Sequence, residues 1–147
     1  MEIWYRDGIK YTIEDLAQIL QKYDKVIIGS DSKYYRKYVK YATVVCVHTI
    51  ESGVTYWYSK SKRYNVKGDI QTRIWTEVNL SMDIALSLQE YMPLGSIEVH
   101  CDINSNPKYA SNRFNVGASG YVIGCGFNYK CKPDAWAASD VADWYTK

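Results

Sequence analysis

The chain of 147 residues has the length of one domain and can bury a sizeable core. Apolar types make up 47% and charged types 23%, which excludes a disordered tail and a fibrous repeat, and a net charge of +2 names no partner by itself. No apolar run approaches the ~20 residues of a membrane helix, and the opening MEIWYRDGIK is no signal peptide, so no membrane partner and a cytoplasmic location are expected.

Thr12, with Asp15 three residues on, forms a variant capping box. It starts a helix over residues 13–23 that turns Ile13, Leu16, Ala17, Ile19 and Leu20 inward. VIIGS (26–30) is an apolar run without alternation, the pattern of a strand buried on both faces, and it ends at Asp31. The β-branched segment 39–50, the turn Glu51-Ser52-Gly53 and the segment 54–61 predict a hairpin. Asp69 caps a long helix reaching Met92, where Pro93 and Gly95 stop it. IEVHCDI (97–103) is a strand, and Asn106-Pro107 signals a helix ending at Gly117 or Gly120. YVIGCGFNYK (121–130) reads as a fifth strand, and Pro133-Asp134 opens a last helix with Asp134 as its cap.

After the first helix the order is β-β-β-α-β-α-β-α, one mixed α/β domain over 1–147 with residues 1–24 as an N-terminal helical extension. Three antiparallel strands are followed by strands that join through helices and add in parallel. Cys46, Cys101, Cys125 and Cys131 show no C-x-x-C spacing, so they read as small buried hydrophobes rather than zinc ligands.

Charge is unevenly spread. Residues 33–68 hold Lys33, Arg36, Lys37, Lys40, Lys60, Lys62, Arg63 and Lys67 against the single acid Glu51, together with seven of the fifteen tyrosines. Cations neutralise phosphates and aromatic faces stack on bases, so this mixture suits nucleic acid. An exposed hairpin rich in tyrosine, with lysines guarding its edge against aggregation, has the same composition.

The carboxylates carry the chemistry. Asp31 and Asp102 each follow a short apolar strand, and parallel neighbours bring both to one sheet edge, where open α/β sheets bind ligands. On the long helix Ile70, Ile74, Val78, Ser81, Ala85, Leu88 and Met92 form one stripe. Glu77 lies about 50° from its centre, so it is either paired, with Arg73 one turn earlier, or functional. The last helix offers Asp140 and Asp143, of which helical geometry favours Asp140 as nearer the apolar arc. Carboxylates converging from separate elements repel unless divalent cations lie between them, and oxygen-only ligands select Mg²⁺ or Mn²⁺. Two such ions about 4 Å apart suit in-line displacement at a phosphate. His100 shares a strand face with Asp102 and can orient a ligand or take a proton; His48 reads as packing.

VIIGSDSK, RIWTEVNLSMDIA, IEVHCDIN and GCGFNYKCKPDAWAASDVADWYTK resemble the bacterial YkuK-like family of predicted ribonuclease H-like nucleases, over most of residues 26–147. The pattern K-P-x-x-x-A-x-x-x-V-A-D is its most specific part, while the loop INSNPKYASNRF departs from the family in lacking a glycine. The resemblance implies a ribonuclease H-like fold with a five-stranded mixed sheet. It also implies a catalytic and metal-binding set of Asp31, Glu77, Asp102 and, at the matching final-helix position, Asp143. The expected function is metal-dependent hydrolysis of RNA or DNA, the alternative an inactive nucleic-acid-binding module of the same fold. An actin-like ATPase needs two copies of this fold, more than 147 residues can hold.

Overall fold

The computed structural model describes residues 2–51 and 53–147; Ser52, the middle of the expected Glu51–Gly53 turn, lies outside the described residues. Strands β1 (Trp4–Arg6) and β2 (Ile9–Tyr11) are followed by α1 (Ile13–Leu20), β3 (Val26–Tyr35), β4 (Tyr38–Thr49) and β5 (Gly53–Tyr64). Next come α2 (Ile70–Gln89), β6 (Ile97–Asn104), a 3-10 turn (Ala110–Phe114), α3 (Asn115–Gly124) and β7 (Asn128–Lys132). A π-helix, Ala137–Ala142, ends the fold. The sheet order is β2-β1-β5-β4-β3-β6-β7, with β3, β6 and β7 parallel and the other pairs antiparallel.

The sheet therefore has seven strands rather than five, and residues 1–24 are not simply helical. Asp7 and Gly8 both take positive φ, 52° and 77°, the two-residue turn that matches strand twist and closes β1 on β2. The Thr12–Asp15 capping box then forms as expected, with Asp15 N–H donating to Thr12 Oγ1 at 3.1 Å.

Three further boundaries moved. β3 runs four residues past Asp31 and turns through Arg36 and Lys37 into β4, so Asp31 lies within a strand and pairs with Ala42. The helix expected at 106 starts later, because Asn104 and Asn106 side chains bond the backbone N–H groups of Asn106 and Lys108 and fold the segment into turns. Tyr121–Gly124 then belong to α3, and Gly126 at φ 94° precedes β7. A short apolar run cannot tell strand from helix by periodicity, which is why 121–130 reads as a strand. Nor does Asp134 cap the last helix: it is exposed, and that helix begins at Trp136 with no side-chain cap.

The two sheet faces are covered differently. On one, Ile28, Val45, Trp57, Val99 and Ile103 meet α1, α2 and α3, with Ile74, Val78, Met82, Ala85 and Leu88 as the buried stripe of α2. On the other, Ile27, Ala42, Val44 and Cys46 meet Ala137 and Ala142 of the π-helix. Cys46 and Cys101 are buried as expected, while Cys125 and Cys131 are half-buried and all four are free thiols. No helix among the described residues is long and apolar enough to cross a membrane.

Candidate active site

β3 and β6 run parallel and adjacent, with Ile27 opposite Glu98 and Gly29 opposite His100. Side chains alternate along a strand, so Asp31 and Asp102, two residues beyond the last pair, stand on the same face. That face is the one the π-helix crosses. Gly29 makes the crossing possible: a Cβ there would lie 2.6 Å from Ala138 N and 2.7 Å from Ala137 C, closer than real Cβ contacts allow.

Asp143 ends the π-helix, its N–H bonded five residues back to Ala138 O, and its carboxyl lies beside that of Asp31. Burial, the Asp102 charge and the neighbouring Asp143 carboxyl push Asp31 up to about 8. Asp102 is more open. Its Oδ1 accepts from Ser139 Oγ at 3.0 Å and pairs with Lys132 Nζ at 2.8 Å, a contact that raises the lysine above its usual range. Asp140, which helical geometry favoured, is exposed, whereas Asp143 is half-buried beside Asp31.

Glu77 approaches from the opposite face, on α2. Its buried Oε2 accepts from Ser32 Oγ, and Arg73 turns to the same serine rather than to the glutamate, donating to Ser32 Oγ at 3.1 Å and to Ser32 O at 2.9 Å. Burial first, then the Asp31 charge, raise Glu77 well above the ordinary range. As the side chains stand, no three His, Cys, Asp or Glu residues among the described ones are already arranged around a metal ion. Ser32 draws Glu77 aside, and Lys132 and Ser139 hold Asp102.

His100 fixes the start of the π-helix. Its Nδ1 accepts from Ala137 N–H at 3.1 Å, so in the neutral ring Nε2–H donates to Glu98 Oε2 at 2.7 Å. Burial lowers its pKa against the pull of Glu98. Burial would raise Glu98, but His100 and Lys25 outweigh it and hold that carboxylate low. His48, expected inside, is exposed and meets the edge of Trp136.

Four lysines lie on the same face as Asp31. Strand pairing sets Asp31, Ala42 and Lys60 in one row and Lys33, Lys40 and Lys62 in the next. Arg36 and Lys37 occupy the turn beyond and Lys67 is exposed near the start of α2, but Arg63, paired with Val39, lies over the Tyr41 ring on the opposite face, because successive strand residues alternate. Lys132 escaped the sequence reading, although it ends β7 as Asp102 nearly ends β6, and the strand-end argument applies to both.

A model of the ribonuclease H-like family matches residues 8–147. The chain belongs to that family. Ribonuclease H-like membership places it among nuclease-type and nucleic-acid-binding modules. It is similar to the N-terminal RNase H domain of a Mycobacterium tuberculosis protein, solved as a fusion with maltose-binding protein. That match has 16% identity and a TM-score of 0.44, and covers 82% of this chain and 94% of the other. No curated protein matches the chain.

Proposed function

We propose that this ribonuclease H-like protein is a divalent-metal-dependent nuclease acting on phosphodiester bonds of RNA or DNA, with Asp31, Glu77, Asp102 and Asp143 as its catalytic and metal-binding set. The observation that carries the reading is the gathering of the Asp31, Asp102 and Asp143 carboxyls at one end of the sheet. Burial and the neighbouring carboxyls raise Asp31 to about 8, and the Lys132 ammonium pairs with Asp102. All the donors are hard oxygens, which fit Mg²⁺ or Mn²⁺ and not a thiolate-bound zinc.

Two such ions held by these four residues would supply a Lewis acid for the phosphate and an activated water. The protein's own groups do the rest. Asp31 loses its proton to solvent, and Lys132, released from Asp102, faces a phosphate oxygen. Arg73 holds Ser32, whose hydroxyl Glu77 gives up to join the set, and His100 and Ser139 hold the π-helix so that Asp143 stays over Asp31. Lys33, Arg36, Lys37, Lys40, Lys60 and Lys62 neutralise the flanking phosphates.

The test is purified protein with labelled single-stranded, duplex and hybrid substrates, in Mg²⁺, in Mn²⁺ and in chelator. Cleavage that needs metal and disappears in Asp31→Asn bears out the reading. Binding without cleavage under every condition makes the protein an inactive member of its family.

A further inference from the structure

Beyond the lysine row on the same face lies a third row, Tyr35, Tyr38 and Tyr64, set by the pairing of Tyr35 with Tyr38 and of Tyr38 with Tyr64. Tyr35 and Tyr38 stack with centroids 5.0 Å and planes 21° apart, and the Tyr64 ring follows at 5.4 Å from Tyr38, tilted 47° to it. β1 pairs with β5 only at Tyr58, so the Tyr64 end of β5 is an open edge, and Tyr64 is 59% exposed. A further flat ring can therefore add to the series there.

The lysines are built into the same array. Lys62 Nζ lies 4.8 Å from the Tyr38 centroid and Lys33 Nζ 5.5 Å from that of Tyr35. Among the described residues no ion pair joins Lys33, Lys60 or Lys62 to a carboxylate, and Lys40 Nζ donates to Lys147 O at 2.8 Å. Instead, burial and the charges of Lys60 and Lys62 push Lys40 below its usual range, a cluster that an anion relieves. Along β3, each row stands ~6.8 Å from the last, since two residues of an antiparallel strand rise that far. From the sheet end outward the order is carboxylates, lysines, tyrosines.

The geometry points to a binding site for unpaired nucleotides: a single-stranded tail leaves the carboxylates, lays a phosphate on the Lys33–Lys40–Lys62 row and stacks a base on Tyr64. This rests on the reading of the face as a nucleic-acid surface and names its substrate class. A continuous duplex offers this face phosphates and grooves but no free base face, so the tyrosines would contribute nothing to it. The substrate is accordingly a strand with an unpaired segment beside the cut.

Fluorescence anisotropy in chelator, where nothing is cut, compares a blunt duplex with the same duplex carrying a single-stranded tail. The wild-type protein binds the tailed form tighter. Tyr38→Leu/Tyr64→Leu weakens the tailed form by about 5- to 150-fold, the worth of one base–aromatic stack, and leaves the blunt form unchanged. Tyr64→Phe, which keeps the ring, retains the affinity. Lys33→Ala/Lys62→Ala instead lowers the salt slope for the tailed form, by about 0.7 per lost contact. Equal affinity for both forms, or equal loss from both in the leucine variant, overturns the tyrosine site, and metal-dependent cleavage persisting alongside leaves the nuclease standing. Tail-dependent binding without cleavage keeps the site and removes the nuclease. No binding of either form removes both.

Discussion

Asp31 has two consequences at the scale of single residues. On the proposed reading it is a metal ligand that an amide cannot replace, so Asp31→Asn and Asp102→Asn should abolish metal-dependent cleavage while circular dichroism shows intact folding. Without metal, its folded pKa of about 8 makes it a liability. Unfolded, an aspartate ionises near 3.9, so between about pH 4 and pH 8 the folded state holds a proton that the unfolded state has lost. Stability therefore falls as pH rises through that window. Asp31→Asn removes this slope and should melt higher than wild type at pH 8 in chelator, each ~1 kcal/mol regained raising Tm by about 3–4 °C. A second residue-scale prediction separates the two final acids. Asp143→Asn should lose metal-dependent activity and Asp140→Asn, altering an exposed side chain, should keep it; the reverse result in a cleavage assay assigns the role to Asp140.

The π-helix is the element on which the site turns, because it brings Asp143 and Ser139 to strands far away in sequence. It is held at two points, the close approach over Gly29 and the Ala137 N–H bond to His100. Gly29→Ala forces backbone against backbone and should cost about 1–3 kcal/mol in a denaturant titration, the usual price of overpacking. It should also lift Asp143 from Asp31 and so cut cleavage more than it cuts nucleic-acid binding. His100 makes the same contact pH-dependent. Its folded pKa lies below 6.5, so as pH falls through 6.5 the unfolded chain takes up a proton first and stability declines. Protonation at Nδ1 also ends its acceptance of the Ala137 bond. Thermal melts in chelator from pH 7 to pH 5 should show this decline, and a flat profile would mean that another group carries the helix start.

At the scale of the whole molecule, one sheet face carries acids, lysines and tyrosines in successive rows, while the opposite face bears the larger core under α1, α2 and α3. Ligands that bind only the folded state raise its stability by mass action, so Mg²⁺ or Mn²⁺ at 100 times its Kd should add about 2.7 kcal/mol. Differential scanning calorimetry should record that rise in the wild type and lose it in Asp31→Asn. A rise of equal size in both would place the ion elsewhere.

What the sequence by itself determined were features with a local period or a local stop. Alternation and strand ends pointed to Asp31 and Asp102, a 3.6-residue stripe set Glu77 against the core of α2, and capping chemistry started α1 and α2 at Thr12 and Asp69. Asp7-Gly8 was legible in the same way as a hairpin turn, and the helical reading of 1–24 passed over it. Composition placed the cations and tyrosines in one stretch but could not order them, because rows across strands depend on register. Only the tertiary structure decided that Asp143, not Asp140, meets Asp31: a helix wound on i→i+5 bonds does not keep 100° per residue, so the wheel that favoured Asp140 did not apply. It alone set Lys132 on Asp102 and Ser32 between Arg73 and Glu77. Those contacts join residues between about 30 and 45 positions apart, and no local pattern records which distant strands and helices will become neighbours.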